Sequence, residues 1–381
     1  MLLVAAAAAA LWLLILLLPW RPWSTREQLQ PLKEPSTPGL PAVTVLIPAR
    51  NEAETIALTV RALVGQAGVA RILVVDDQSS DDTAARAASI PGVEVMAGQA
   101  TPPGWSGKLW AQQQGLERID TPLVLLTDGD IEFAPGMVAA LVEKLDREHL
   151  DLVSIMATLP TGHWPEKLML PAFVYFFRQL YPFAWVNRDD RPGAAAAGGC
   201  VLVRRELLTR IDAFGAWKHC LIDDCELARR ARRAGGRLWL GLSHGVQSLR
   251  RHPDLDSVLE TIRRTAFEQL QRSVLLVTAT ALLMVLMFVA PWLGLLAGLL
   301  QANVGLFGLG LAGLGLMGLG YWPQLRFHGL HPLWALSFSA AGLLFLLATL
   351  QSAWQERRGE GAGWKGRRYG STPSSPKTDR Q

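Results

Sequence analysis

The sequence predicts an α/β protein in which a mostly parallel sheet, covered by helices on both faces, lies between apolar segments at the two ends of the chain. Three observations predict this. Between residues 42 and 157, short aliphatic and β-branched runs alternate with helical patterns, the order that builds a parallel sheet with crossover helices. Polar clusters at 48–52, 76–82 and 127–130 each follow such a run, and the carboxyl ends of strands are where these sheets bind ligands. Uncharged blocks occupy residues 1–20, 273–301, 302–325 and 332–355, while 18% of the whole chain is charged.

The elements follow in order. Residues 1–20, MLLVAAAAAALWLLILLLPW, are about long enough to span a bilayer. No positive region precedes them and no small-residue cleavage site follows, so they read as an uncleaved anchor. Residues 21–41 form a linker whose second half, PLKEPSTPGLP, is Pro-rich. A strand from Val43 to Ile47, a turn at Pro48 and a helix open the central domain, residues 42–272. A strand from Ile72 to Val75 and a helix from about Asp82 repeat the plan. VEVMAG is a short strand, GKLWAQQQGLERI a helix, and TPLVLLTDGD a strand ending in acids. PGMVAALVEKLDRE is a helix with Pro135 near its first turn, and LDLVSIMA another strand. The aromatic stretch 163–188 reads as an amphipathic helix at a membrane interface, placed to let a lipid enter sideways. Residues 273–355 hold about three membrane helices, and 356–381 form a basic polar tail.

Arg21, Arg26 and Lys33 follow the first apolar segment and nothing basic precedes it, so the domain is expected in the cytoplasm of a bacterial-type inner membrane. The basic tail should lie on the same side, yet three crossings would put it opposite. One C-terminal segment is therefore re-entrant, or the count is wrong. The net charge of +4 does not suggest nucleic acid; the positive charges sit beside the apolar segments, where an anionic lipid bilayer is the simpler partner. Three cysteines, Cys200, Cys220 and Cys225, make no even framework and lack zinc spacing.

The chemistry concentrates in acids. Asp128 and Asp130 flank Gly129 where an apolar run surfaces. Carboxylates this close repel; a solvated Asp-Gly turn is one reading, and in the other a divalent cation removes the conflict because hard cations take carboxylate and phosphate oxygens together. Asp76 and Asp77 also follow a buried-type run directly; a carboxylate there can accept from a base N–H or from ribose hydroxyls. Asp81 and Asp82 fit a helix cap.

VLIPARNE, ILVVDDQSSDDT, LLTDGD and LIDDCELARRARRAGG, in this order, resemble the inverting family 2 glycosyltransferases of the GT-A fold, the nucleotide-diphospho-sugar transferase fold. PPGWSGKLWAQQQGL and RTAFEQLQRS, with the membrane layout, are most similar to the hopanoid-associated (HpnB-type) members. The resemblance implies that Pro48, Arg50, Asn51 and Glu52 line the nucleotide pocket, that Asp76 and Asp77 hold uracil and ribose, and that Asp128 and Asp130 grip metal and diphosphate. It implies that Lys108 faces the diphosphate and that Gly198 and Gly199 let backbone approach the donor sugar. Asp224 matches the catalytic base, with Asp223 in the place of a glutamate. Gln269 and Arg272 match part of a Gln-x-x-Arg-Trp motif in which Arg272 would reach the diphosphate; Ser273 replaces the tryptophan, which favours a single transfer over a processive one. The implied reaction moves a sugar from a nucleotide-sugar donor, a UDP-sugar, to a hydroxyl of a membrane lipid acceptor, in hopanoid or isoprenoid metabolism. A polyprenyl-phosphate or short-polysaccharide glycosyltransferase, and a non-catalytic membrane scaffold of hopanoid synthesis, are the alternatives.

Overall fold

The structure, a computed structural model, describes residues 1–34, 39–191 and 193–358 and the two short strands Ala362–Trp364 and Arg367–Tyr369. Most of the basic tail and residues 35–38 of the linker lie outside the described residues.

Helix α1 (Leu2–Leu17) precedes the domain. The first half then alternates as the sequence predicts: β1 (Val43–Ala49), α2 (Ile56–Leu63), β2 (Val69–Asp76), α3 (Thr83–Ala88), β3 (Val93–Ala97), α4 (Gly107–Leu116), β4 (Leu123–Thr127), β5 (Ile131–Phe133), α5 (Met137–Arg147) and β6 (Leu152–Thr158). The second half is α6 (Trp164–Leu180), α7 (Phe183–Val186), β7 (Cys200–Arg204), α8 (Arg205–Arg210), α9 (Asp223–Arg233), β8 (Leu238–Ser248) and α10 (Leu255–Gln269). Four apolar helices follow: α11 (Val274–Phe288), α12 (Ala290–Leu300), α13 (Val304–Phe327) and α14 (Phe338–Arg357).

The main sheet has eight strands in the order β3-β2-β1-β4-β7-β6-β8-β5. Leu46 pairs with Leu73 on one side and Leu126 on the other, both in parallel. Every residue of β1 and β4 is buried, so these strands read as unbroken apolar runs. Val45 and Ile47 pack with Val60 and Leu63 of α2 and Leu141 of α5 on one face. Leu46 and Leu126 pack with Leu109 of α4 and Leu227 of α9 on the other. The sheet is mixed, as a mostly parallel expectation allows. CVLVR, within the segment read as a glycine loop, is β7, which runs antiparallel between β4 and β6. The edge strand β5 is antiparallel to β8.

The linker is also more than a linker. Leu29 N–H donates to Leu242 C=O (3.0 Å), Leu242 N–H to Glu27 C=O (2.8 Å) and Leu32 N–H to Gly136 C=O (3.2 Å), so this segment is strapped along β8. Glu27 meets Arg178 of α6, only 2% exposed, at 3.3 Å.

Three helical stretches, Val274–Leu300, Val304–Phe327 and Pro332–Arg357, are long and apolar enough to cross a membrane. Helix α1 is shorter than expected: its 16 residues span about 24 Å, short of a hydrocarbon core of about 30 Å. It packs into the bundle, where Ala5 lies beside Gly294. The glycines of this block serve close helix contact: a Cβ on Gly298 would lie 2.2 Å from Phe307 N, and one on Gly310 2.2 Å from Leu295 N. Helix α6 is not laid open on an interface. Its Met169, Ala172 and Tyr175 are buried against Trp12, Tyr321 and Phe338 of the apolar helices. Both ends of α14 meet the central domain. Phe338 lies 5.0 Å from the Tyr175 ring of α6, while Ser352 Oγ accepts from Phe267 N–H of α10 (3.1 Å) and Glu356 pairs with Arg272 (3.3 Å).

Candidate active site

The turns after β1 and β2 are built as one piece. Asn51, at φ 51°, is in the left-handed region where Asn is among the better tolerated residues. Its Oδ1 accepts from Ser80 N–H (2.9 Å), and its own N–H donates to Ser79 Oγ (3.0 Å). Glu52 N–H donates to Thr83 Oγ1 (2.8 Å), and the Arg50 guanidinium donates to the Gln78 carbonyl (3.1 Å) and to that of Asp77. Asp81 Oδ1 accepts from Thr83 N–H (3.1 Å), whereas Asp82, at the N-cap position of α3, makes no side-chain cap hydrogen bond. Asp76 Oδ2 accepts from Ser79 N–H (3.2 Å), while its Oδ1 is buried without a hydrogen-bond partner among the described residues. That orphaned acceptor suits a ligand's N–H or hydroxyl. Asp77 is 2% exposed, a buried member of the turn.

A cleft opens beside these turns. Pro48, Arg50 and Glu52 line it from β1, Lys108 from α4, Asp128 and Asp130 from the end of β4, and Asp223 from the start of α9. Lys108 Nζ holds the assembly together, 3.0 Å from Asp128 Oδ1 and 3.3 Å from Asp223 Oδ2. Burial alone would lower its pKa; Asp128, Asp223 and Asp224 outweigh that and raise it, keeping the ammonium charged. They also offset its unfavourable place in the first turn of a helix.

Asp224 lies behind Asp223. Its Oδ2 accepts from Gly198 N–H (2.8 Å) and its Oδ1 from Cys225 N–H (2.7 Å). Burial raises its pKa to about 6, with the Asp223 carboxylate adding to the rise and Lys108 and the two N–H groups opposing it. Space is tight at Gly198: a Cβ would stand 3.3 Å from both Asp224 Oδ2 and Lys108 Nζ. At Gly199 the same atom would stand 3.0 Å from Ile131.

Gln269 and Arg272 are not brought to the cleft. Gln269 Oε1 accepts from Tyr181 Oη (2.6 Å). Arg272 lies past the end of α10 at φ 54°, drawn away by Glu268 (2.6 Å) and Glu356 of α14 (3.3 Å). Two arginines that sequence reasoning missed line the cleft instead: Arg250, after β8, and Arg264, two turns earlier on α10. Burial lowers the Arg264 pKa and the facing Arg250 adds to this, with Asp128 and Asp223 pulling the other way. No motif marks the pair, because only the fold-back of α10 joins them.

Among the described residues no group of three or more His, Cys, Asp or Glu side chains could hold a metal alone. Asp128 and Asp130 on one wall fit the other arrangement, in which a hard cation takes one or two carboxylates and completes its shell with substrate phosphates.

Similarity to known proteins agrees with this geometry. An archaeal structure, the mannosyltransferase PcManGT from Pyrobaculum calidifontis in complex with GDP-Man and Mn²⁺, superposes with a TM-score of 0.56 over 93% of this chain and 99% of that one, at 17% identity. At that identity the likeness concerns the fold, a GT-A-like mixed sheet with apolar C-terminal helices. An uncharacterized glycosyltransferase of Mycobacterium bovis is 37% identical over 125 residues, 32% of this chain and 53% of that protein. A 4,4'-diaponeurosporenoate glycosyltransferase of Staphylococcus aureus is 33% identical over 92 residues, 24% of each chain. The chain thus spans about half or less of the length of these relatives. The family model described as glycosyltransferase like family 2 matches residues 41–267, more than half of the chain, and the chain belongs to that family.

Proposed function

We propose that the chain is an inverting glycosyltransferase that moves a sugar from a UDP-sugar to a hydroxyl of a membrane lipid in hopanoid or isoprenoid metabolism. The observation that carries the reading is the line Asp128–Lys108–Asp223 along the cleft, with Asp224, a carboxylate of raised pKa, directly behind Asp223. The diaponeurosporenoate enzyme among the relatives supports an isoprenoid acceptor.

Asp224 is the base. A carboxyl titrating at about 6 is ionised at neutral pH yet basic enough to accept a proton as a hydroxyl attacks. Its two backbone N–H partners fix its orientation and leave acceptor sites open. The lipid oxygen forms its bond to the anomeric carbon from the face opposite the diphosphate, the proton passes to Asp224, and the sugar–phosphate bond breaks with its electron pair on the diphosphate. Lys108 exchanges Asp128 for the diphosphate and stabilises the charge that develops there. Asp128 and Asp130 would hold Mg²⁺ or Mn²⁺, which supplies charge neutralisation for the diphosphate when bound. Asp76 and the Arg50–Glu52 turn receive the nucleoside.

We place the central domain in the cytoplasm, from the basic residues after α1. Contacts of α14 with α6 and α10 of that domain support α14 as the segment that does not cross, which would reconcile the basic tail with the same side. The test of function is incubation of purified protein with labelled UDP-sugars and total membrane lipid. A single labelled, monoglycosylated lipid is expected; a ladder of longer products would overturn the single transfer. Failure of metal-dependent UDP binding would leave the scaffold reading.

A further inference from the structure

We propose that Glu166, at the start of α6 and outside the cleft, is a positioning residue for sugar transfer: its buried carboxylate clamps the segment between β8 and α10 against α6. This rests on the glycosyltransferase reading and adds to it a residue that touches neither donor nor acceptor.

The two oxygens of this carboxylate do different work. Glu166 is 1% exposed. Its Oε2 accepts from Gly162 N–H (2.8 Å) and His163 N–H (3.1 Å), the local bonds of a capping glutamate in the first turn of a helix. A cap needs nothing more. Oε1 reaches instead across 86 residues of sequence and accepts from His252 N–H (2.9 Å). Burial raises the Glu166 pKa, but the N–H groups of His252, His163 and Gly162 outweigh it and lower it. The group therefore stays ionised at neutral pH, and its hydrogen bonds are charge-assisted.

What Oε1 holds is a short strap between Ser248, the end of β8, and Leu255, the start of α10. Its upstream end is fixed by the sheet: Ile131 of β5 pairs with Ser248, and Leu249 N–H donates to Asp130 C=O (2.7 Å). Arg250, on the cleft wall, comes next, and its N–H donates to Ser248 Oγ (3.3 Å) within the same turn. Two residues on, His252 is 6% exposed and in the grip of Glu166. Pro253 follows and has no N–H to give. The bond to Glu166 is thus what ties the downstream half of the strap to α6. Without it, the course from Arg250 to α10 loses that hold, while the Asp130 wall keeps its ladder. Transfer should then suffer and nucleotide binding should not. Glutamine cannot replace the glutamate, because an amide has one acceptor oxygen and would set its NH₂ against either His252 N–H or the Gly162–His163 pair.

Full-length protein in nanodiscs is assayed with labelled UDP-sugars and total membrane lipid, its affinity for UDP plus Mn²⁺ is measured by calorimetry, and backbone hydrogen exchange is followed over residues 249–254. In E166Q the apparent kcat/KM for lipid should fall about 10- to 100-fold, the range of a hydrogen bond to a charged group, with UDP affinity within about two-fold of wild type. Exchange at the His252 amide should quicken by at least about 10-fold, because its opening becomes local. E166D keeps the charge and both oxygens on a shorter arm; it should recover part of the transfer, and it carries the same comparison if E166Q does not fold. A residue that only caps α6 would lose transfer and UDP binding together, or neither, and either result overturns the proposal. If the wild type transfers no sugar, the glycosyltransferase reading fails by itself. The clamp is then upheld by faster His252 exchange in E166Q and overturned by unchanged exchange.

Discussion

The two sides of the cleft are built differently. The donor side consists of strand-end turns stapled by short hydrogen bonds: Asn51 to Ser79 and Ser80, Glu52 to Thr83, Arg50 to the carbonyls beyond β2. The acceptor side is assembled from α9, α10 and the residue after β8, and is held by charge and by apolar packing against α14 and α6. Nucleotide recognition needs a rigid frame, because a diphosphate and its metal tolerate little displacement. On the proposed reading a lipid acceptor enters along the apolar helices, which would couple its side of the site to them. Mutations on the two sides should therefore fail differently, donor-side changes in nucleotide affinity and acceptor-side changes in turnover or acceptor KM.

Asp224→Asn is the sharpest cut. It should reduce turnover by roughly 10²–10⁴-fold, the usual worth of general acid–base catalysis, while UDP affinity stays near wild type. Asp223→Asn should be milder; if it is inactive while Asp224→Asn retains activity, the roles of the two acids are exchanged. On the donor side Asp130→Ala should lower Mn²⁺-dependent UDP affinity by at least about 100-fold in calorimetry, with circular dichroism unchanged, because one carboxylate of the Asp128–Asp130 pair is lost. An unaltered affinity would remove the metal from this wall.

The pH profile tests the coupling across the cleft. Asp224 sits above its ordinary 3.8, at about 6, so the base is protonated and idle below that pH, and kcat/KM should rise as pH passes through about 6. Asp223 is one of the groups that raises it, so Asp223→Asn should move this acid limb to lower pH. Lys108 lowers it, so Lys108→Gln should move the limb up. A limb that stays fixed in both variants would mean that another group titrates. The smallest effects are structural. Asn51→Ala removes the contact to Ser80 and leaves alanine at positive φ, costing about 1–2 kcal/mol in urea unfolding and weakening UDP by about 10-fold. Ser352→Ala removes one acceptor beneath α10 and should raise acceptor KM about two- to five-fold with UDP affinity unchanged, from the roughly 0.5–1 kcal/mol worth of one hydrogen bond.

The sequence by itself determined what depends on neighbours along the chain. Unbroken aliphatic runs became β1, β2 and β4; the acids that end them became one wall and the turns of the cleft; uncharged blocks became apolar helices. Pro48, Arg50, Glu52, Asp128 and Asp130 were legible because strand ends in a parallel sheet converge, whereas Lys108 and Asp223, at helix starts, were legible only through the resemblance to the family. Only the tertiary structure decided what depends on distant partners. It inserted β7 antiparallel between β4 and β6, strapped residues 27–32 along β8, and shortened α1 into a packed member of the bundle. It also exchanged Arg272 for Arg264, because Glu268 and Glu356 capture the former while α10 turns the latter inward. Periodicity and turn chemistry report the backbone path and which face is apolar. Which charged groups meet is set by how helices far apart in sequence dock, and a local pattern does not carry that information.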